Sequence, residues 1–248
     1  MLWLCLHFPK LPLEALIPKP SFGDASLRVV IEASRVVTCD DEVEALGVTT
    51  GLKQSTVSVL LSGHPLQLLS RDREKEHQAL KRLRQWAYSI TPTLSLWRGD
   101  CLQLEISRCL LVHGGLEALL KKVAIEFDQR GFSVFAGVGP SRESAWLLSQ
   151  FNRASVASIA DQGLPLESQL SPIHLSYLDE FPKDTAALAK AGVRTFKELL
   201  TLPSTSVKQR CSHEFSSWID RLLCRVEVAL EDFQPDPEYN DIAWLGYG

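Results

Sequence analysis

Asp100 and Cys101 are the residues of this chain whose types and position most directly suggest chemistry. They lie in the segment Gly99–Ser107, whose alternation of apolar and polar residues predicts a half-buried β-strand. A carboxylate at the start of a strand can bind a divalent cation, and phosphoryl transfer by two metal ions needs several such carboxylates at one site. A cysteine thiol, however, is a soft and poor ligand for magnesium. A lone aspartate is also typical of a solvated turn, so this pair by itself does not indicate a magnesium site.

Two glycine-containing motifs suggest other chemistries. The segment Gly137–Ser141 (GVGPS) follows a predicted strand and precedes a predicted helix, as a dinucleotide-binding loop does, and Asp161 lies near the spacing of a ribose-binding acid. The third glycine of such a loop is missing. The segment Val112–Gly115 (VHGG) is similar to an oxyanion-hole loop, but no G-x-S-x-G nucleophile elbow accompanies it, and a turn explains it.

Composition and charge limit the class of protein. The chain has 248 residues, of which 45% are hydrophobic and 23% charged, as expected of a globular protein with a core. Its six cysteines form no C-x-x-C pair, which argues against a disulfide framework or a structural zinc site and favours a reducing, cytoplasmic location. The apolar opening MLWLCLHF is too short to span a bilayer and predicts a core strand, so we expect no membrane association.

The charges are unevenly distributed. The net charge is −4, but residues 164–248 carry eight basic and thirteen acidic side chains, a net charge of −5. Between Glu227 and Asp241 there are six acids and no lysine or arginine. Proteins that bind duplex DNA strongly usually carry a basic stripe, because neutralised phosphates supply most of the affinity. The pattern therefore predicts weak DNA binding.

Hydrophobic periodicity and turn residues predict the elements that position these groups. The first half of the chain is expected to contain a strand at Leu2–His7, a strand pair at Arg28–Ile31 and Val36–Cys39, and helices at Asp40–Ala45, Lys53–Leu61 and Asp72–Tyr88. A helix at Leu116–Phe127, a strand at Phe132–Val138 and a further helix follow, and Gln162–Gln169 is predicted to be a linker. Short helices are expected at Leu175–Leu178, Thr185–Ala191, Phe196–Leu200 and Phe215–Val226, with Thr195 as an N-cap.

Several long segments in this order resemble the Y-family (translesion) DNA polymerases, and most closely the ImuB branch of that family. The segments are Leu2–Leu16, Glu44–Leu52, Asp100–Leu120 and Gly131–Gln150. The resemblance implies an α+β fold with a palm sheet and small fingers, followed by an all-α, helix-hairpin-helix-like thumb, with the little-finger domain absent. We expect palm and fingers at 1–163, thumb at 164–230 and an acidic tail at 231–248.

The resemblance also places the family's functional positions on this chain. In active relatives the first strand carries two aspartates and an aromatic sugar gate, which fall here on His7, Pro9 and Pro12, and the later Asp-Glu pair falls on Asp100 and Cys101. If the relatives' geometry is retained, His7, Asp100 and Cys101 should meet at one end of the sheet, with His7 as the donor nearest to Asp100.

The fingers and thumb positions have changed as well. The tyrosine and arginine that bind the triphosphate fall on Asp41 and Glu44, and an acid there reverses the sign of the interaction with phosphate. A phosphate-binding lysine falls loosely on Ala157. A glycine-rich thumb hairpin is replaced by Phe181-Pro182-Lys183, and Gln169–Ile173 only faintly resembles a clamp-binding peptide.

These positions predict vestigial catalytic residues (His7, Pro9, Asp100, Cys101), degenerate nucleotide-binding residues (Asp41, Glu44) and no bound metal. The expected function is that of a non-catalytic scaffold in damage-induced translesion synthesis. The resemblance implies a DnaE-type error-prone polymerase, a RecA-like cassette partner and the sliding clamp as partners. One alternative is an active, divergent polymerase that uses magnesium with Asp100 and a substitute such as Glu105, although a strand rise of ~3.3 Å per residue places Glu105 too far away. A third is a nucleotide-binding regulator using the Gly137 loop.

Overall fold

The computed structural model describes residues 1–17, 26–151 and 165–226 of the chain. Its strands are β1 (Trp3–His7), β2 (Leu27–Glu32), β3 (Arg35–Cys39), β4 (Leu66–Ser70), β5 (Leu94–Trp97), β6 (Cys101–Glu105) and β7 (Phe135–Gly139). Its helices are α1 (Leu11–Glu14), α2 (Asp41–Ala45), α3 (Gln54–Leu60), α4 (Arg73–Tyr88), α5 (Leu116–Arg130), α6 (Arg142–Phe151), α7 (Leu166–Leu170), α8 (Pro182–Lys190), α9 (Phe196–Leu200), α10 (Ser204–Arg210) and α11 (His213–Leu222), and a 3₁₀ turn spans Leu175–Tyr177. The result is a mixed α/β fold with both sheets in the first two segments.

A four-stranded antiparallel sheet, the palm sheet, lies at the centre of the molecule in the order β5-β6-β1-β7. Strand β1 is internal, and its last residue, His7, faces Cys101 of β6 on one side and Phe135 of β7 on the other. The predicted strands at Leu2–His7, Gly99–Ser107 and Phe132–Val138 correspond to β1, β6 and β7 and are confirmed as strands. The fourth, β5, was not predicted, because a four-residue edge strand carries little periodicity.

Side chains alternate between the two faces of the palm sheet as predicted for β1. Leu4 and Leu6 pack with apolar residues of α4 and α5, whereas Trp3 and Cys5 pack with those of α6 and the C-terminal helices. The expectation that the Gly99–Ser107 strand is half-buried was wrong, since every residue of β6 is buried. Helices cover both faces, and the polar Gln103 is tolerated because its amide donates to the Arg142 carbonyl oxygen (2.9 Å).

A second, three-stranded sheet, the fingers sheet, has the order β3-β2-β4. The predicted pair β2–β3 is confirmed, and its turn lies at Ala33 and Ser34, both with positive φ. Strand β4 was not predicted; it runs parallel to β2. The fingers sheet is joined to α4 by Arg71, whose guanidinium donates to Glu76 (2.6 Å) and to Glu32 (3.1 Å).

Residues 165–226, the thumb region, are helical apart from their turns. A turn at Gly192, with φ of +85°, separates α8 from α9, and the predicted N-cap Thr195 forms a capping box with Glu198. The predicted linker at 162–169 was wrong from Leu166 onward, because α7 begins there directly after Pro165. Helices α7 and α10 were not predicted.

Some expectations concern residues outside the described ranges. These are Ala157, Asp161, the proposed boundary near Gly163 and the acidic segment from Glu227 to Asp241. Among the described residues, the helices are too short or too polar to cross a lipid bilayer.

Candidate functional site

The predicted cluster of His7, Asp100 and Cys101 forms at one end of the palm sheet. Cys101 begins β6 directly opposite His7, which ends β1, and Asp100 immediately precedes Cys101. The backbone N–H of Phe8 donates to the carbonyl oxygen of Asp100 at 2.9 Å, which extends the ladder past both strands. The strand pairing therefore holds all three residues in position.

The ligand-type atoms of the three side chains are close together. Nε2 of His7 lies 3.5 Å from Oδ2 of Asp100, and Sγ of Cys101 donates to Oδ1 of the same carboxylate at 3.2 Å. One donor atom from each residue can be chosen so that all lie within 4.8 Å of one another. His7 was predicted to be the donor nearest to Asp100, and this contact is present. Its other ring nitrogen, Nδ1, is buried and has no hydrogen-bond partner in the described part of the chain.

The Cys101 thiol lies in surroundings that keep it protonated. A hydrogen bond with Cys5, followed by burial, raises the pKa of Cys101 far above its ordinary value. The thiol also receives a long contact from Nε2 of Gln150 at 3.8 Å. Cys5 and Cys101 are both free and buried. Without a metal ion, Cys101 therefore acts as a neutral donor to Asp100.

The residues present do not fit a magnesium pair. Magnesium requires oxygen ligands in near-octahedral geometry, and Asp100 supplies the only carboxylate of the cluster. Pro9 lies in the turn between β1 and α1 and has no side-chain ligand atom. Glu105 lies at the opposite end of β6, where its Oε1 accepts from the backbone N–H groups of Leu2 (3.3 Å) and Ser107 (3.2 Å). It cannot complete the site.

The two fingers positions, Asp41 and Glu44, lie on α2 and are both exposed. Asp41 accepts from Nζ of Lys10 at 2.5 Å, so the cation nearest to it is already paired. A cleft of about 380 Å³ lies between the fingers sheet, α1 and the segment that joins α5 to β7, and its lining includes Lys10, Arg28, Asp40 and Asp41. Arg28 is itself bound to Asp40 at 2.7 Å. This cleft could not be predicted from the sequence, because it depends on how α1 and α5 pack beside the fingers sheet.

The glycines of the Gly137 loop serve helix packing. A Cβ atom added to Gly137 would lie 2.2 Å from the carbonyl oxygen of Ala145, and one added to Gly139 would lie 2.3 Å from Oγ of Ser144. The start of α6 is also occupied, since Oγ of Ser141 accepts from the N–H of Ser144 and donates to the carbonyl oxygen of Leu222 in α11. This arrangement is unfavourable for nucleotide binding at the start of α6.

In the segment Phe181-Pro182-Lys183 of the thumb region, Phe181 is partly buried, whereas Pro182 and Lys183 are exposed. Phe181 precedes α8 and packs edge-on against Phe215, with 5.3 Å between the ring centroids. In the clamp-like segment, Leu170 and Ile173 are fully buried, so they form part of the core and are not accessible to a clamp.

The described fold is similar to solved DNA polymerases. The insertion ternary complex of Dbh DNA polymerase superimposes with a TM-score of 0.68 at 14% identity, over 93% of this chain and 70% of that one. A Y-family DNA polymerase chimera of Dbh and Dpo4 gives a TM-score of 0.69 at 12% identity, over 95% and 71%. DinB from Sulfolobus solfataricus gives 0.63 at 14% identity, over 94% and 70%.

No protein-family model and no curated protein matches the sequence. At these identities the structural likeness shows the fold and leaves the activity open. The His7–Asp100–Cys101 cluster lies at one end of the four-stranded palm sheet of this fold. The chain therefore has the fold of the Y-family DNA polymerases.

Proposed function

We propose that this chain is a non-catalytic, polymerase-like scaffold or accessory factor in damage-induced translesion DNA synthesis and DNA repair. The observation that carries the proposal is the donor set at the end of the palm sheet. One carboxylate, one thiol and one imidazole, with Pro9 beside them, replace the carboxylates that two-metal phosphoryl transfer needs. A polymerase fold that has lost these groups retains its surfaces but not its reaction.

The fingers and thumb support the same proposal. Asp41 and Glu44 put negative charge on the fingers helix, where an incoming triphosphate would need positive charge. Phe181 packs against the edge of a hydrophobic core at the position where a glycine hairpin would let the backbone approach a DNA phosphate. Three separate parts of the fold have therefore changed in directions that weaken nucleotide and DNA contacts.

The partners proposed from the sequence resemblance are a DnaE-type error-prone polymerase, a RecA-like cassette partner and the sliding clamp, in the cytoplasm during an SOS response. Contacts between the palm and the thumb region support a fixed surface for these partners. Trp146 of α6 meets Trp218 of α11 edge-on at 6.4 Å, and Arg98 donates to Glu180 at 2.5 Å. A scaffold needs such a fixed surface more than it needs a mobile thumb.

Primer extension tests the loss of catalysis directly. We expect no template-dependent incorporation by the purified chain above a no-enzyme control, with either magnesium or manganese. The Asp100→Ala variant removes the remaining carboxylate, and Asp179→Ala, at an exposed thumb position, is the matched control. Incorporation that is lost in Asp100→Ala and kept in Asp179→Ala would establish the alternative, an active and divergent polymerase.

Co-purification tests the scaffold role. We expect the chain to form a complex with the error-prone polymerase or with the clamp, detected as co-elution in size-exclusion chromatography and by a finite dissociation constant. If the chain is inactive and also binds none of the three proposed partners at micromolar concentrations, the scaffold proposal is wrong, although the loss of catalysis would stand.

A further inference from the structure

The geometry points to a binding site for one zinc ion, or a similar borderline-soft divalent transition metal, formed by His7, Asp100 and Cys101. This inference does not depend on the scaffold proposal. It rests on the mismatch between the donor set and magnesium, since nitrogen, oxygen and sulfur ligands together are the set that zinc prefers.

The distances already approach those of a tetrahedral ion. With zinc–ligand bonds of about 2.0–2.3 Å, tetrahedral geometry separates a histidine nitrogen from a carboxylate oxygen by about 3.4 Å, and a thiolate sulfur from that oxygen by about 3.6 Å. Here Nε2 of His7 lies 3.5 Å from Oδ2 of Asp100, and Sγ of Cys101 lies 3.2 Å from Oδ1. These two distances end on different oxygens of the Asp100 carboxylate, so side-chain rotations that bring one of these oxygens, the imidazole and the thiol to the same ion would form the site.

The strands hold the ligands before any ion arrives. His7 and Cys101 are directly paired across β1 and β6, so their backbone positions are fixed by the ladder, and Asp100 is anchored by the hydrogen bond from Phe8. A preorganised site costs little conformational entropy on binding. The contact with Asp100 is made by Nε2 of the His7 ring. Its Nδ1 is buried and has no hydrogen-bond partner within the described ranges.

The exposure of the three side chains is that expected of a metal site with one open coordination position. Cys101 is fully buried and the His7 side chain is 12% exposed, whereas the Asp100 side chain is 48% exposed. Three protein ligands leave the fourth tetrahedral position on the solvent side, where a water molecule or an external ligand can bind. When zinc binds, a zinc–sulfur bond forms, the S–H bond of Cys101 breaks and the proton passes to solvent, because a coordinating thiol is deprotonated.

Metal titration of the purified, metal-free chain tests the site. We expect zinc to bind with one-to-one stoichiometry in competition with a chromophoric chelator, and magnesium in large excess not to displace it. Cobalt(II) should give the intense visible bands of a tetrahedral ion together with a thiolate-to-cobalt charge-transfer band. That band reports on sulfur coordination and is independent of any catalytic activity.

Matched variants assign the ligands. Cys101→Ser should abolish the charge-transfer band and weaken zinc binding more than about 100-fold, since even outer-shell changes cost 10–100-fold. Cys224→Ser, at an exposed cysteine, should behave as the unmodified chain. His7→Gln should also weaken binding, whereas His64→Gln, at an exposed histidine, should not.

The Asp100 side chain is half-exposed, so Asp100→Asn should disturb folding less than a change at a buried position. This variant therefore tests the site even if Cys101→Ser and His7→Gln do not fold. Circular dichroism establishes which variants are folded. If the unmodified chain binds no zinc at one-to-one stoichiometry, or if folded Asp100→Asn and Cys101→Ser bind zinc and cobalt as the unmodified chain does, the inference is wrong.

Discussion

At the scale of single residues, Glu14 at the end of α1 is a buried carboxyl group with one of its two oxygens unsatisfied. Oε1 accepts from the N–H of Ser133 at 2.9 Å, while Oε2 is buried without a partner among the described residues. Burial raises the pKa of Glu14 above its ordinary value of 4.5, and the hydrogen bonds with Ser133 only partly oppose this effect. The folded state therefore favours the protonated side chain.

The substitution Glu14→Gln should consequently become more favourable as pH rises. A raised pKa in the folded state means that this group's contribution to stability is complete below pH 4.5 and is lost as pH rises through the folded-state value. Glutamine resembles the protonated acid and does not titrate. We expect the free energy of unfolding of the variant, relative to the unmodified chain, to increase between a pH below 4.5 and neutrality, as measured by urea denaturation.

Glu42→Gln, at an exposed position of α2, is the control for this prediction. Its effect on the free energy of unfolding should stay nearly constant over the same pH range. A pH-independent effect of Glu14→Gln would show that the buried carboxyl group is not destabilised by its surroundings.

The candidate site could be predicted from sequence only in part. The clustering of His7, Asp100 and Cys101 was expected from the family resemblance, and the structure produces it through the pairing of β1 with β6. The interaction of Cys101 with Cys5 and the approach of Gln150 could not be predicted. They depend on the packing of α6 against the sheet, which no local pattern specifies.

At the scale of secondary-structure elements, the contact between β7 and α6 depends on two glycines. The backbone of α6 approaches Gly137 so closely that a Cβ atom there would lie 2.2 Å from one backbone atom and 2.3 Å from another. Both atoms belong to helix backbone, so relief requires the whole helix to move. The sequence GVG therefore allows α6 to cover the palm sheet.

The substitution Gly137→Ala should destabilise the fold by about 3 kcal/mol or more, because overpacking usually costs 1–3 kcal/mol and here the obstacle is rigid backbone. Gly63→Ala is the control. Its Cβ would meet nothing within 4 Å, but its φ is +93°, so it measures the cost of backbone strain alone, about 1–2 kcal/mol. Chemical denaturation gives both values, and equal losses would contradict the role assigned to Gly137.

Element prediction succeeded where the pattern was long and failed where it was short. The sixteen-residue α4, with Asp72 as its N-cap, was predicted closely, because its apolar face repeats over four turns. The five-residue α7 and the seven-residue α10 were missed, although Pro165 and Pro203 precede them as helix-start signals. Strand β4 was missed because its parallel pairing with β2 is a non-local contact.

At the scale of the whole molecule, one hydrophobic core joins the palm sheet to the thumb region. The core contains Trp3 and Cys101 of the sheet, Trp146 of α6, and Phe196 and Phe215 of the thumb. Arg221 of α11 adds an ion pair with Glu143 of α6, with 2.7 Å between Nε and Oε1. The expected boundary near Gly163 stays a prediction, but the parts on either side of residues 152–164 are packed as one body.

The charge distribution predicts how DNA binding should respond to the last residues of the chain. Residues 165–226 carry eight basic and seven acidic side chains, whereas residues 227–248 carry six acids and no lysine or arginine. We expect the full chain to bind duplex DNA only at about 10⁻⁴–10⁻⁶ M at physiological salt. Ending the chain at Val226 should strengthen binding several-fold, as measured by fluorescence anisotropy.

A full-length variant with the same six acids changed to their amides separates charge from length. It should bind DNA as tightly as the shortened chain. A nanomolar dissociation constant for the unmodified chain at physiological salt would instead show a DNA-binding surface that the charge counts do not indicate.

The internal position of β1 has a consequence for how the chain is made on the ribosome. Trp3 is paired with Glu105 on one side and with Gly139 on the other, so β1 is synthesised before both of its neighbours and must wait for them. At about 5–20 residues per second, that interval is on the order of ten seconds. During it, an apolar strand with two open edges is exposed to other nascent chains. We therefore expect the yield of native protein to depend on translation speed and on chaperones that shield β1 in the nascent chain.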